Sequence, residues 1–108
     1  MYDRAIKTIR EYIDKNLPEL DNIYPKYEFD TRSYARWAAN EILERLIMED
    51  ASSLPCYITG KEPRSVLEII NEFIAEVDYY FYISTDVRRQ EMFNIAVNTA
   101  NYIKHLFL

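Results

Sequence analysis

From Ser65 to Ser84 the chain reads SVLEIINEFIAEVDYYFYIS, and apolar residues recur there every three or four positions. Val66, Ile70, Phe73, Val77 and Tyr80 form one stripe, with Leu67, Ile74 and Phe81 beside it. This spacing predicts a helix with a wide buried face. Ser65 followed three residues later by Glu68 fits a capping box, in which the two residues satisfy free amides at the helix start. Glu68, Glu72 and Glu76 run up one side at four-residue spacing, and none has a basic residue four positions beyond it.

Three further segments carry the same period. Tyr2, Ala5, Ile6, Ile9, Tyr12, Ile13 and Leu17 predict helix one over about Tyr2 to Asn16, ended by Pro18. Lys7 with Glu11, and Arg10 with Asp14, stand at ion-pair spacing on its outer side. Tyr34, Trp37, Ala38, Ile42, Leu46 and Ile47 predict helix two over Thr31–Asp50, with Asp30 or Thr31 as its N-cap. Ala35 and Ala39 leave room for a close neighbour, and Glu41, Arg45 and Glu49 are spaced to pair outside. Helix four is predicted from Asp86 onward, capped by Ser84 or Thr85. Its inner face is Phe93, Ala96, Ala100, Ile103 and Phe107, flanked by Met92, Val97 and Leu106. Gln90, Asn94, Asn98, Asn101 and His105 form its polar outer stripe.

The intervening segments hold every proline and the one glycine. Leu17–Asp30 carries Pro18 and Pro25 but also Leu20, Ile23, Tyr24, Tyr27 and Phe29, so it should pack across the bundle, with a helical turn after Pro18. Ala51–Glu62, with Pro55, Cys56 and Gly60, reads as a surface loop and a second candidate for partner contact. The short Ser84–Asp86 turn makes helices three and four an antiparallel hairpin. The expectation is therefore an all-α, four-helix bundle-like single domain over residues 1–108, with that hairpin at its centre.

Composition narrows the functional classes. At 108 residues with 49% hydrophobic content the chain can bury a sizeable core. A formal net charge of −5 opposes binding to phosphate backbones and anionic membranes. A lone Cys56 cannot form an internal disulfide, no apolar run reaches spanning length, and the first ten residues lack a signal-peptide core. The expected location is the cytoplasm.

The inventory for catalysis is poor. Glu41-x-x-Glu44 invites comparison with di-metal carboxylate bundles, but those need Glu-x-x-His on two helices and this chain has one histidine. One Cys and one His cannot close a zinc site. Nucleophilic catalysis would need Cys56 or a serine with a base, and His105 is the sole imidazole. The reading is no enzyme, no catalytic residue, no metal and no cofactor; a carboxylate-based enzyme ranks third among the functions considered.

Two features point toward protein binding. Like charges at four-residue spacing cost a helix about 0.2–0.5 kcal/mol per pair. Glu68 is offset by the helix N-terminus and by Arg64, whereas Glu72 and Glu76 are not. This edge is either solvated or docks a basic protein surface. The run Asp78-Tyr79-Tyr80-Phe81-Tyr82 places rings all round the helix. Helix one or the Leu17–Asp30 segment should cover the rings that the core does not, and a second subunit is the next candidate. Tyr79 and Tyr82 join Glu68, Glu72 and Glu76 as candidate partner-binding residues.

Ser33-Tyr34-Ala35-Arg36-Trp37-Ala38-Ala39-Asn40-Glu41-Ile42-Leu43, and Val66 to Phe73 leading to Asp78-Tyr79-Tyr80, resemble small acidic all-helical proteins of phages and conjugative elements of Gram-positive gut bacteria. The resemblance spans roughly the last two-thirds of the chain and carries over no site residues. It implies a mobile-element context, in which small acidic proteins inhibit host defence systems by binding basic, nucleic-acid-handling surfaces. The leading expectation is a non-enzymatic protein-binding module, and the alternative is a structural homodimer without a separate ligand.

Overall fold

The computed structural model describes residues 2–17, 26–51 and 64–108. These form four helices and, among the described residues, no strand: α1 is Asp3–Asn16, α2 is Lys26–Ala51, α3 is Val66–Ile83 and α4 is Val87–His105. The expected packing of residues 18–25 and the loop that carries Cys56 lie outside the described residues.

The caps explain most boundaries. Ser65 accepts a hydrogen bond from the Glu68 backbone N–H at 3.1 Å, which fixes the start of α3. Helix four is capped later than expected. Asp86 is itself the N-cap, its Oδ1 accepting from the Arg88 N–H at 2.9 Å. Ser84 instead closes the turn: its hydroxyl accepts from the Asp86 N–H at 3.4 Å, and its carbonyl accepts from the Gln90 side chain at 2.8 Å. The second correction concerns α2, which begins at Lys26 and not at Thr31. Asp30 and Thr31 are interior to it rather than caps. Each costs a helix interior only a fraction of a kcal/mol, too little to end one, and Pro25 precedes the first helical residue, where proline is tolerated.

Cross-helix bonds give the directions. Arg36 donates to the Leu17 carbonyl, tying the first half of α2 to the end of α1. Tyr2 donates to the Arg64 carbonyl at the entrance to α3, and Arg64 also pairs with Glu49 near the end of α2. Successive helices therefore alternate in direction, with a three-residue connection between α3 and α4.

The core is drawn from all four helices: Ala5, Ile9 and Ile13; Ala38, Ala39, Ile42 and Leu46; Ile69, Ile70, Phe73 and Val77; Ala96, Ala100 and Ile103. Burying an Ile, Leu or Phe contributes about 1.5–3 kcal/mol. The inner member of the hairpin is α4, which packs extensively along both α2 and α3, while α1 docks mainly on α2. Small residues permit this, since Ala38, Ala39, Ala96 and Ala100 are all fully buried. Thr99 is the polar exception among the buried residues. Its hydroxyl donates to the Ile95 carbonyl at 2.9 Å, so it enters the core with a partner.

The stripes are rotated from the expected ones. Ile69, not assigned inward from spacing, is buried, whereas Trp37, Ile47, Tyr80, Phe81 and Leu106 are exposed. Each of these lies at the margin of its stripe. Whether a marginal residue is covered depends on the reach of the neighbouring helix, which period alone does not contain.

Candidate functional site

The five candidate residues lie on α3 but in two distinct settings. Glu68, Glu72 and Glu76 are exposed along its first part, and Tyr79 and Tyr82 are exposed near its C-terminal end. The carboxylates have partners that the helix period could not reveal. Arg64, just outside the helix, pairs with Glu72 and, at 3.0 Å, with Glu49 of α2. Arg45 of α2 reaches Glu76 at 2.5 Å and lies 3.8 Å from Glu41. Hydrogen bonding to Glu49 raises the Arg64 pKa above its already high value, against a smaller opposing effect of burial. The expectation that nothing offsets Glu72 and Glu76 is therefore corrected: the cations come from other segments. The expected Arg45–Glu49 role is taken by Arg64.

The rings at the far end of α3 are the larger departure. Tyr79 is 61% exposed and Tyr82 87%, with Tyr80, Phe81, Ile83 and Val87 also open to solvent. The expectation that helix one covers them is corrected by this exposure, and the Leu17–Asp30 segment, the other expected cover, lies mostly outside the described residues. Other exposed apolar side chains, such as Met48 and Tyr102, sit on other faces, whereas these six fall within nine consecutive positions, 79–87. Contiguous exposed apolar surface of this kind marks an interaction site more often than scattered residues do.

Behind the tip, an open cleft of about 390 Å³ lies between α2, α3 and α4. Phe73 and Val77 form its base, Trp37, Tyr80 and Phe93 its aromatic walls, and Glu41, Arg45 and Glu76 its polar edge. The Trp37 and Phe73 ring centroids are 6.0 Å apart at an interplanar angle of 55°. Tyr80 lies 6.2 Å from Phe93 and 5.7 Å from Tyr79, continuing the aromatic surface from cleft to tip. The Arg45 guanidinium carbon stands 5.2 Å from the Phe73 ring centroid, within cation–π range.

Trp37, Arg45, Arg64 and Phe93 were not singled out as site residues from sequence. A signal was present, for Trp37, Glu41 and Arg45 share a four-residue spacing, as do Phe73, Val77 and Phe81 nearby. Period places each set on one helix face but does not say that two faces meet. His105 is exposed at the end of α4, its Nδ1 2.7 Å from the Asn101 carbonyl. Among the described residues no group of three or more His, Cys, Asp and Glu side chains is placed to hold a metal, and no helix is long and apolar enough to cross a membrane.

Comparison with protein-family models, with curated proteins and with solved structures gives no match.

Proposed function

We propose that this protein is a non-enzymatic binding module whose docking surface is the open end of the α3–α4 hairpin, and that its partner is a protein presenting basic and apolar side chains. The observation that carries this reading is the exposed run Tyr79–Ile83 with Val87. Tyrosines offer large rigid area at small entropic cost, which suits them to interfaces. Charge selects the partner. Residues 76–91 contain Glu76, Asp78, Asp86 and Glu91 against Arg88 and Arg89, four negative charges against two positive, and the chain as a whole carries −5.

The acidic edge is the secondary contact in this reading. Glu72 and Glu76 already hold intramolecular partners, so a docking surface must compete for them, while Glu68 has none as close among the described residues. The resemblance to mobile-element proteins supports a cytoplasmic inhibitor or accessory protein as the biological form of this module. A homodimer through the same rings is the second reading, favoured by the apolar character of the tip.

The test is site-specific photocrosslinking in host lysate from position 82, with position 94 on the outer face of α4 as control, after light scattering has fixed the oligomeric state. The expected result is a monomer that crosslinks from position 82 to a discrete basic protein, lost in the Tyr79→Ser/Tyr82→Ser variant. A dimer in solution that the same double variant dissociates would replace this reading by the homodimer. Equal crosslinking from positions 82 and 94 would sink both.

A further inference from the structure

We propose that the cleft between α2, α3 and α4 is a seat for one cationic side chain, an arginine above all, inserted by the partner. This deepens the protein-binding reading and rests on it. The argument begins with what the cleft already does. It holds a guanidinium of the protein's own, Arg45, over the Phe73 ring at 5.2 Å and against Glu76 at 2.5 Å. An aromatic floor and a carboxylate at the edge are the two groups that recognise a guanidinium, which is flat, weakly hydrated and able to stack.

The cleft has unused capacity for a second one. Its edge carries Glu41 and Glu76 against Arg45 alone, two negative charges and one positive. Glu41 is the less engaged of the two. Its Oε1 is 3.8 Å from Arg45 Nε, too far for a hydrogen bond, and that buried Nε has no hydrogen-bond partner among the described residues. About 390 Å³ remains beside Arg45, within the range of side-chain and small-ligand sites. Trp37 and Tyr80 present exposed ring surface to this space. A purely apolar occupant would desolvate Glu41 without pairing it, which disfavours that alternative. An arginine stacked on Trp37 and donating to Glu41 satisfies both groups.

Arg45 then acts as an internal competitor. Removing its charge should strengthen binding, by freeing Glu76 and the Phe73 ring for the incoming guanidinium. Trp37 is the chain's one tryptophan and lines the cleft, so its fluorescence reports occupancy. The experiment titrates the intact protein with N-acetyl-Ala-Arg-Ala-amide, and in parallel with the same peptide carrying citrulline, a neutral isostere. The expected result is a saturable change in Trp37 emission, about tenfold weaker for the citrulline peptide. Glu41→Gln should weaken the arginine peptide and Arg45→Met should tighten it several-fold, with helix content by circular dichroism unchanged. Should Arg45→Met unfold, the Glu41→Gln titration decides alone. Equal binding of the two peptides, no saturable change, or indifference to Glu41→Gln would overturn the proposal. Failure here with the position-82 crosslink intact removes the cleft but leaves the docking tip. Loss of the crosslink with peptide binding intact removes the tip instead.

Discussion

The two ends of the bundle use the same kinds of residue to opposite effect. At the closed end, Tyr2 is buried and its hydroxyl donates to the Arg64 carbonyl, while Arg64 ties Glu49 to Glu72. At the open end, Tyr79 and Tyr82 stand in solvent, with Tyr79 edge-on to Tyr80 at 5.7 Å between ring centroids. The comparison teaches that burial follows from a neighbour lying alongside, not from hydrophobicity. At the closed end Tyr2, Arg64 and Glu49 tie the termini of α1, α3 and α2 together, whereas Tyr79, Tyr82 and Ile83 at the hairpin tip stay exposed.

The sharpest way to break this contrast is to truncate one ring from each region. Phe73, 1% exposed and fully enclosed, should cost about 3–5 kcal/mol as Phe73→Ala, read by chemical denaturation. Tyr82→Ala should stay within about 0.5 kcal/mol of the parent. Similar losses for the two would mean that the open end is covered in solution, by a second copy or otherwise.

The next largest effect concerns why α4 lies inside. Ala100→Leu adds bulk where α4 is fully buried, and should destabilise by about 1–3 kcal/mol. A neutral result would show that the close packing of α4 against its neighbours is not needed for the fold.

The paired edge gives a smaller effect, and its expected sign follows the tertiary contacts. On helix spacing alone, Glu72→Lys/Glu76→Lys would be neutral or slightly stabilising, since it dilutes like charges. Because Arg64 and Arg45 hold these carboxylates, reversal should destabilise, by about 0.2–1 kcal/mol for each exposed pair lost. The loss should shrink as salt rises. A double variant as stable as the parent at low salt would return Glu72 and Glu76 to a merely solvated edge.

The smallest effect lies between α1 and α4. Burial, and secondarily repulsion from Tyr102, raise the Tyr12 phenol above its usual value of 10.0. A raised folded-state pKa means that the native state holds its proton longer than the unfolded chain does. Stability from this source is complete below pH of about 10 and is lost as pH rises through the folded value. Tyr12→Phe should therefore lose less stability than the parent between pH 9 and 11. Parallel pH profiles would place Tyr12 in water.

Much of the fold follows from particular residues in the sequence. Helical period located α1 and α3 within a residue or two and the start of α4 within one, although α4 ends at His105 and does not run to the end of the chain; Ser65 and Ser84 bracketed α3, and Phe73 and Ala100 were assigned inward from spacing alone. These are local facts: a side chain's place on its own helix is set by 100° steps along the chain, and a cap by residues within one turn. The start of α2 escaped because Asp30 and Thr31 favour caps but do not oblige one.

The candidate site was visible only in part. Glu68, Glu72, Glu76, Tyr79 and Tyr82 could be read as an unusual face of one helix, yet their states were settled elsewhere. Glu76 meets Arg45 across 31 positions, and Phe73 meets Trp37 across 36. The sequence by itself determined four helices, the hairpin of the last two and an acidic, ring-rich third helix. Only the tertiary structure decided which charges are paired, which rings are covered and that α4 lies innermost. The physical reason is range. Period and capping act within a turn or two, whereas ion pairing, ring stacking and burial depend on where a distant helix ends.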